Sequence, residues 1–154
     1  MAGMARIVWS RLRGGERIGT MSGARVVWND VVWAWLGSAL SILCLAWLER
    51  LCAQEWNLPL LIGSFGASAV LAFGAPESPL AQPRNLVGGH MLSALVGVSC
   101  QMLLGQEPAA AAALAVSTAI ALMRVTKTLH PPGGATALIA VIGGADIHRL
   151  GYWY

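Results

Sequence analysis

The chain has 154 residues, of which 56% are hydrophobic and only 11% are charged, and its formal net charge is +3. Because a soluble domain carries about a quarter charged residues, this chain has too few charges to cover a water-facing surface, which excludes disordered, secreted disulfide-rich and nucleic-acid-binding proteins. Its apolar residues form long runs separated by short polar breaks. That pattern indicates an integral membrane protein whose main partner is the lipid bilayer.

A basic segment precedes the first apolar run. The first 30 residues have only two acidic side chains but five arginines, which are Arg6, Arg11, Arg13, Arg17 and Arg25. Positive charge beside a membrane segment marks the cytoplasmic side. Residues 1–30 are therefore predicted to be cytoplasmic and residues 31–154 to form the transmembrane domain. In a bacterial cell the membrane would be the cytoplasmic (inner) membrane.

Five apolar runs follow, and they predict an all-α, polytopic bundle of transmembrane helices. The long runs are 31–53, 85–104 and 109–123. Two shorter runs, 58–75 and 130–144, contain or begin with glycine and proline, which interrupt a helix. Three prolines between positions 76 and 83 forbid a continuous helix between the second and third runs.

The two short runs resemble each other. LIGSFGASAVLAF, which begins at Leu61, aligns with LHPPGGATALIAV, which begins at Leu129, at a shift of 68 residues. Corresponding short, broken segments in the two halves of a membrane protein are typical of transporters with inverted repeats. The first half has three segments and the second has two before Tyr154. We therefore expect the last helix to be missing and the chain to be truncated at its C-terminus.

The starts of the two short runs have the composition of an anion site. The first amides of a helix have no partner within the helix, and the dipole makes that end positive. Glycine lets an ion approach the backbone, and neither run contains an acidic residue. The predicted ligand is a small anion. The predicted binding residues are Gly63, Ser64, Gly66 and Ser68 in the first run and Pro131, Pro132, Gly133, Gly134 and Thr136 in the second.

Four polar residues near the short runs complete the predicted anion site. His130 precedes Pro131, and it either guards the anion path and relays protons or fixes the turn and caps the helix. His90 lies within an apolar run, so we expect it to face the bundle interior, for function or for an interhelical hydrogen bond. Arg84 follows Pro83 in a polar loop and is either the anion-attracting charge of a vestibule or a topology anchor, and Asn85 could line the same vestibule.

Small residues in the 85–104 run recur on one helical face. Gly89, Ser93 and Gly97 are four positions apart. Close packing against another helix is favoured over the lining of a pore, since small residues let two backbones approach.

Enzyme chemistry is not indicated. The apolar runs contain no pair of carboxylates, and the three histidines do not have the spacing of metal ligands. We therefore expect no catalytic residues, no metal and no cofactor.

Two stretches of the chain, GSFGASAVLAFGAPESPLAQPRNLVGGH and LMRVTKTLHPPGGATALIAVIGG, resemble the HPP family of integral membrane proteins, which is named for the tripeptide at His130. The resemblance extends from about Leu36 to Tyr154. It implies a compact bundle of membrane helices. Some chloroplast and cyanobacterial members are linked to nitrite transport, so the resemblance also implies nitrite as a substrate. Family members continue into a final apolar helix where this chain ends in GYWY.

The sequence thus predicts a transporter or channel for a small inorganic anion, with nitrite as the first choice. The backbone argument would fit nitrate, chloride, formate or bicarbonate equally well. The alternative is a non-transporting membrane scaffold or assembly subunit, in which the glycines serve only helix packing. A bundle this small is expected to form a homo-oligomer, in a number that the sequence does not indicate.

Overall fold

A computed structural model describes residues 26–52 and 62–154 of the chain. Within these ranges every regular element is helical, and the first is α1, Trp28–Cys52. Asp30 lies in its first turn and Arg50 in its last, where each charge opposes the helix dipole. At 25 residues, α1 is long enough to cross the hydrocarbon core of a bilayer. The first predicted crossing is therefore confirmed.

The middle of the chain forms a short helix followed by a long one. Helix α2 covers Gly63–Gly74, a single 3-10 turn covers Pro79–Ala81, and α3 covers Pro83–Leu104. Proline occupies the first helical position of α3, where its missing N–H costs no hydrogen bond. The predicted short run began at residue 58, but the described helix begins at Gly63 and residues 53–61 lie outside the described ranges.

The last third of the chain repeats the order of a long helix and a short one. Helix α4 covers Pro108–Val125, α5 covers Pro131–Ile142 and α6 covers Ala145–Leu150, before a 3-10 turn at Gly151–Trp153. Three helices, α1, α3 and α4, are long and apolar enough to cross a membrane, and α2 and α5 are shorter apolar helices. The structure confirms the all-α class with three long and two short membrane segments.

Small residues form the contact between α3, α4 and α5. Ala111, Ala115 and Ala119 are spaced by four positions along α4 and are fully buried. On α3, a Cβ atom added to Gly97 would lie 2.7 Å from the carbonyl oxygen of Ala137 on α5. The predicted close packing of the small-residue row is confirmed. The alanine-rich helix α4 supplies the facing surface of this contact.

The internal repeat is visible in the two short helices. The shift of 68 residues that aligns their sequences carries the first and last residues of α2 onto those of α5. It also carries the buried residues of α2 onto buried residues of α5: Ser64, Ser68 and Ala69 match Pro132, Thr136 and Ala137. Helix α2 leads into the loop from which α3 begins, and the Leu80 carbonyl of that loop contacts His130 at the start of α5. The two short helices therefore run in opposite directions, as an inverted repeat requires.

Candidate functional site

His90 is held between the two short helices. Its Nε2 atom lies 2.8 Å from Ser68 Oγ of α2, and its Nδ1 atom lies 2.7 Å from Thr136 Oγ1 of α5. Ser68 and Thr136 are the two residues that the repeat aligns, so equivalent hydroxyls hold the two nitrogens of one imidazole. The ring of Phe65, in the first turn of α2, packs edge-on against it at 5.3 Å. The expectation that His90 faces the bundle interior is confirmed.

His130 lies next to His90 and is completely buried. Its Nε2 atom is 2.8 Å from Ser68 Oγ, and its Nδ1 atom is 2.8 Å from the carbonyl oxygen of Leu80. The two imidazole rings are 5.1 Å apart. The His130 side chain does not cap α5, although the residue occupies the N-cap position. Its imidazole instead joins α5 to Ser68 and to the loop after α2.

When both histidines are neutral, a single set of directions gives every ring nitrogen a partner among the described residues, with the one Ser68 proton donated to His130 rather than to the Ser64 carbonyl oxygen, which lies 3.1 Å from Ser68 Oγ. The Leu80 carbonyl only accepts, so His130 Nδ1 donates to it and His130 Nε2 accepts from the Ser68 hydroxyl. Ser68 Oγ then accepts from His90 Nε2, which leaves His90 Nδ1 to accept from the Thr136 hydroxyl. We name this series, from Thr136 through His90, Ser68 and His130 to Leu80, the histidine chain.

Ser64 supplies a buried hydroxyl without a hydrogen-bond partner among the described residues. Its side chain is fully buried in the first turn of α2, and its hydroxyl has no hydrogen-bond partner among the described residues. A buried donor without a partner costs about 1–3 kcal/mol. A Cβ atom added at Gly63 or Gly66, in the same turn, would meet no described atom within 4 Å. The first turn of α2 therefore combines an unused hydroxyl with open space beside the backbone.

The first turn of α5 offers fewer donors than the sequence suggested. Pro131 and Pro132 have no N–H group, and the Gly133 N–H donates to the His130 carbonyl at 2.9 Å. Gly133 also packs tightly, since an added Cβ would lie 2.8 Å from Ser93 Oγ. At Gly134 the same atom would meet nothing within 4 Å. Of the adjacent glycines, one serves packing and the other borders open space.

A cavity of about 330 Å³ adjoins the Thr136 end of the histidine chain. His90 and Thr136 line it together with Phe65 and the aromatic residues at 152–154. The Tyr154 hydroxyl donates to the Thr136 carbonyl oxygen at 3.2 Å, and burial raises the pKa of Tyr154 to about 12. The hydroxyl therefore stays protonated at neutral pH. These aromatics were not among the predicted site residues, and the run Tyr152-Trp153-Tyr154 is the sequence signal that could have suggested them.

Arg84 and Asn85 lie away from the cavity. The Arg84 guanidinium donates to the Thr126 carbonyl at 3.0 Å, and the Asn85 amide donates to the Leu129 carbonyl at 2.8 Å. Both residues tie the start of α3 to the segment between α4 and α5. The structure thus brings Ser64, Ser68, His90, His130 and Thr136 together and leaves these two at the end of the bundle.

The model of the HPP transmembrane region matches residues 23–154 of this chain. The chain belongs to the HPP family. One relative is a transmembrane protein from Dictyostelium discoideum that is 47% identical over 149 residues, which are 95% of this chain and 46% of the relative. A second transmembrane protein from the same organism is 53% identical over 118 residues, which are 75% of this chain and 41% of that protein. No solved structure matches the chain significantly.

Family membership makes the chain an integral membrane protein, in agreement with its three long apolar helices. This HPP chain spans less than half of the length of either relative. The names of both relatives state only that they are transmembrane proteins. The bacterial inner membrane, the cytoplasmic N-terminus, the anion and the homo-oligomer stay predictions.

Proposed function

We propose that this HPP chain forms the substrate path of a membrane transporter for a small inorganic anion, with nitrite as the first substrate to test. The observation that supports the proposal most directly is the start of α2 within the bundle. There the Ser64 hydroxyl is buried without a partner among the described residues, and its neighbours Ile62 and Phe65 line the cavity. An oxyanion could accept from this hydroxyl and from the first amides of the helix.

The electrostatics of the surrounding helices favour an anion over a cation. Helices α2 and α5 contain no charged residue, and α3 contains only Arg84. The positive ends of the α2 and α5 dipoles both lie near His90. A half-length helix that directs its N-terminus at an anionic group is a known device of transporters with inverted repeats.

The setting of the transporter is proposed from the sequence. The arginine-rich segment before α1 supports a cytoplasmic N-terminus, in a bacterial cell on the inner side of the cytoplasmic membrane. Exposed apolar residues on α1 and α4 would allow copies of the chain to associate within the bilayer. The proposed activity moves the ion without converting it chemically, so it requires neither catalytic residues nor a cofactor.

Nitrite uptake by proteoliposomes tests the proposal. The purified protein is reconstituted and uptake is followed at two pH values against empty vesicles. We expect uptake above the empty vesicles, and we expect Gly134→Leu to reduce it because the new side chain would fill the open space beside the first turn of α5. Gly144→Leu is the matched control, since Gly144 also has open space around it but lies beyond α5.

The alternative is a membrane scaffold without transport activity. Wild-type uptake no higher than that of empty vesicles would favour the scaffold and contradict the proposal. Competition by nitrate, chloride, formate and bicarbonate then ranks the anions if uptake is present.

A further inference from the structure

We propose that His130 is a proton-loading site that is filled from the cavity through His90 and Ser68, and that this proton and the anion are bound together. The inference rests on the proposed function and adds a coupling ion to it. It rests on the continuity of the histidine chain, in which each hydrogen bond between two side chains is 2.7–2.8 Å long. His90 and Thr136, at one end of the series, line the cavity, whereas His130 is completely buried.

The proton moves in three linked steps. A proton from the cavity binds His90 Nδ1. In the resting state this nitrogen accepts a hydrogen bond from the Thr136 hydroxyl. The Nε2 proton of His90 passes to Ser68 Oγ, while the Ser68 hydroxyl proton passes to His130 Nε2. His90 and Ser68 end neutral, and His130 ends as an imidazolium that still donates from Nδ1 to the Leu80 carbonyl. The net result is that one proton enters from the cavity and His130 gains one positive charge.

The surroundings of His130 supply no compensating charge. The two histidines contact each other, and the tyrosines at 152 and 154 line the cavity with His90. In the loop that provides the Leu80 carbonyl, the carboxylate of Glu77 belongs to an exposed residue. Helices α2 and α5 have no charged side chain, and the single arginine of α3 is bonded to the Thr126 carbonyl. A carboxylate within reach of His130 is therefore missing from the helices packed around it.

A buried charge without a counter-ion is strongly unfavourable. An anion at the first turn of α2 would be two turns or less from His130, because Ser68 of the second turn contacts that imidazole directly. The proton and the anion would each remove the cost of burying the other. By linkage, each must then raise the affinity for the other by the same factor. This reciprocity makes the pair travel together.

Two fluxes measured in the same proteoliposomes test the coupling. Nitrite exchange between equal concentrations needs no net proton movement, whereas uptake driven by an acid exterior does. For the wild type we expect gradient-driven uptake accompanied by internal acidification, read by a trapped pH dye. In Ser68→Ala the ratio of gradient-driven uptake to exchange should fall about tenfold or more, within the usual range of coupling between two sites.

Two variants control the comparison. Ser68→Thr keeps a hydroxyl at the same position and should keep the wild-type ratio. Ser117→Ala removes an exposed serine of α4 whose hydroxyl bonds only its own helix, and it should change neither flux. An unchanged ratio in Ser68→Ala would overturn the relay and leave anion transport standing. Absence of wild-type exchange above empty vesicles would overturn both.

A measurement on the wild type keeps the proposal testable if the serine variants do not fold. Nitrogen NMR of histidine-labelled protein in bilayers distinguishes the two neutral tautomers from the imidazolium. Without anion we expect His130 to carry its proton on Nδ1 and His90 on Nε2. Nitrite added at mildly acid pH should convert His130 to the imidazolium. A His130 signal that does not respond to nitrite would contradict the coupling.

Discussion

Ser68 and Thr136 have the same position in the two repeats, yet they meet at a single histidine. Each residue lies in the second turn of a short helix, and each hydroxyl contacts a different nitrogen of His90. An imidazole offers two hydrogen-bonding edges, so one ring can bond two chemically similar hydroxyls from helices that run in opposite directions. His90 itself has no counterpart in the aligned segments. The repeat therefore places two equivalent hydroxyls around one residue that the repeat does not duplicate, and one hydroxyl accepts from its imidazole while the other donates to it.

Lys127 is the single non-glycine residue with positive φ in the described ranges, at 57°. It follows the end of α4, where the Thr128 N–H reaches back to the Met123 carbonyl at 2.8 Å. This left-handed conformation is costly for a residue with a Cβ atom and is normally taken by glycine. Lys127→Gly should be more stable than Lys127→Ala by about 1 kcal/mol, because both variants lose the charge and only glycine loses the strain.

Thermal unfolding in a fixed detergent measures the difference between the two Lys127 variants. Equal melting temperatures for the glycine and alanine variants would mean that the left-handed turn carries no strain. The site is informative because Thr128 packs against Gly88 and leads directly to His130.

Residue types at the site could be predicted from the sequence, but their contacts could not. A histidine in an apolar run and hydroxyls at two aligned positions were sufficient to nominate His90, Ser68 and Thr136. The contacts of Ser68 join residues that are 22 and 62 positions apart, beyond any local periodicity. The Leu80 carbonyl is a backbone atom and has no signal in the sequence.

At the scale of helices, Gly97 sets the distance between α3 and α5. An added methyl group would lie 2.7 Å from the Ala137 carbonyl oxygen and 2.7 Å from the Ala140 Cβ atom. Neither neighbour has a flexible side chain that could move away. Gly97→Ala should therefore force the two helices apart and destabilise the fold by about 1–3 kcal/mol.

Gly134→Ala is the matched control for this prediction. Gly134 is a helical glycine of α5 with nothing within 4 Å of an added Cβ atom, so alanine should be neutral or stabilise by about 0.5–1 kcal/mol through its better helix propensity. Denaturation in mixed micelles compares the two variants. A Gly97→Ala protein as stable as Gly134→Ala would contradict the close contact.

The helices themselves were predictable to different degrees. The repeat predicted two corresponding short helices but not their ends, since the runs were expected at 58–75 and 130–144 and the described helices cover Gly63–Gly74 and Pro131–Ile142. The roles of adjacent glycines could not be separated in advance, since Gly133 and Gly134 differ only in which side of α5 they occupy. The alanine-rich sequence of α4 likewise does not show which of its faces is buried. Its buried face became visible only once α3 had been placed beside it.

At the scale of the whole molecule, the described surface is covered with large apolar side chains. Trp33, Leu43, Val70 and Leu103 are among those more than 60% exposed. Such a surface is unstable in water but matches lipid tails or further membrane helices.

The positions of the loops lead to a prediction about membrane sidedness. The Arg84 contact to the Thr126 carbonyl holds the start of α3 beside the end of α4, so the loop before α3 and the segment after α4 must face the same side. With a cytoplasmic N-terminus, α1 crosses outward, and the loop before α3 then lies inside together with Arg84, Arg124 and Lys127. The turn between α3 and α4, which contains Glu107, faces outward.

Single cysteines test this arrangement in a protein whose three native cysteines have been replaced with alanine. Glu107→Cys should react with an impermeant maleimide on intact cells, while Glu77→Cys and Lys127→Cys should react only after permeabilisation, since all three positions are exposed at helix ends. The reverse labelling pattern would contradict the cytoplasmic N-terminus and leave the fold intact. Labelling of Glu77→Cys and Lys127→Cys from opposite sides would contradict the fold itself. The hydrogen bond from Arg84 to the Thr126 carbonyl holds the two loops together, so they must face the same side of the membrane in either orientation of the bundle.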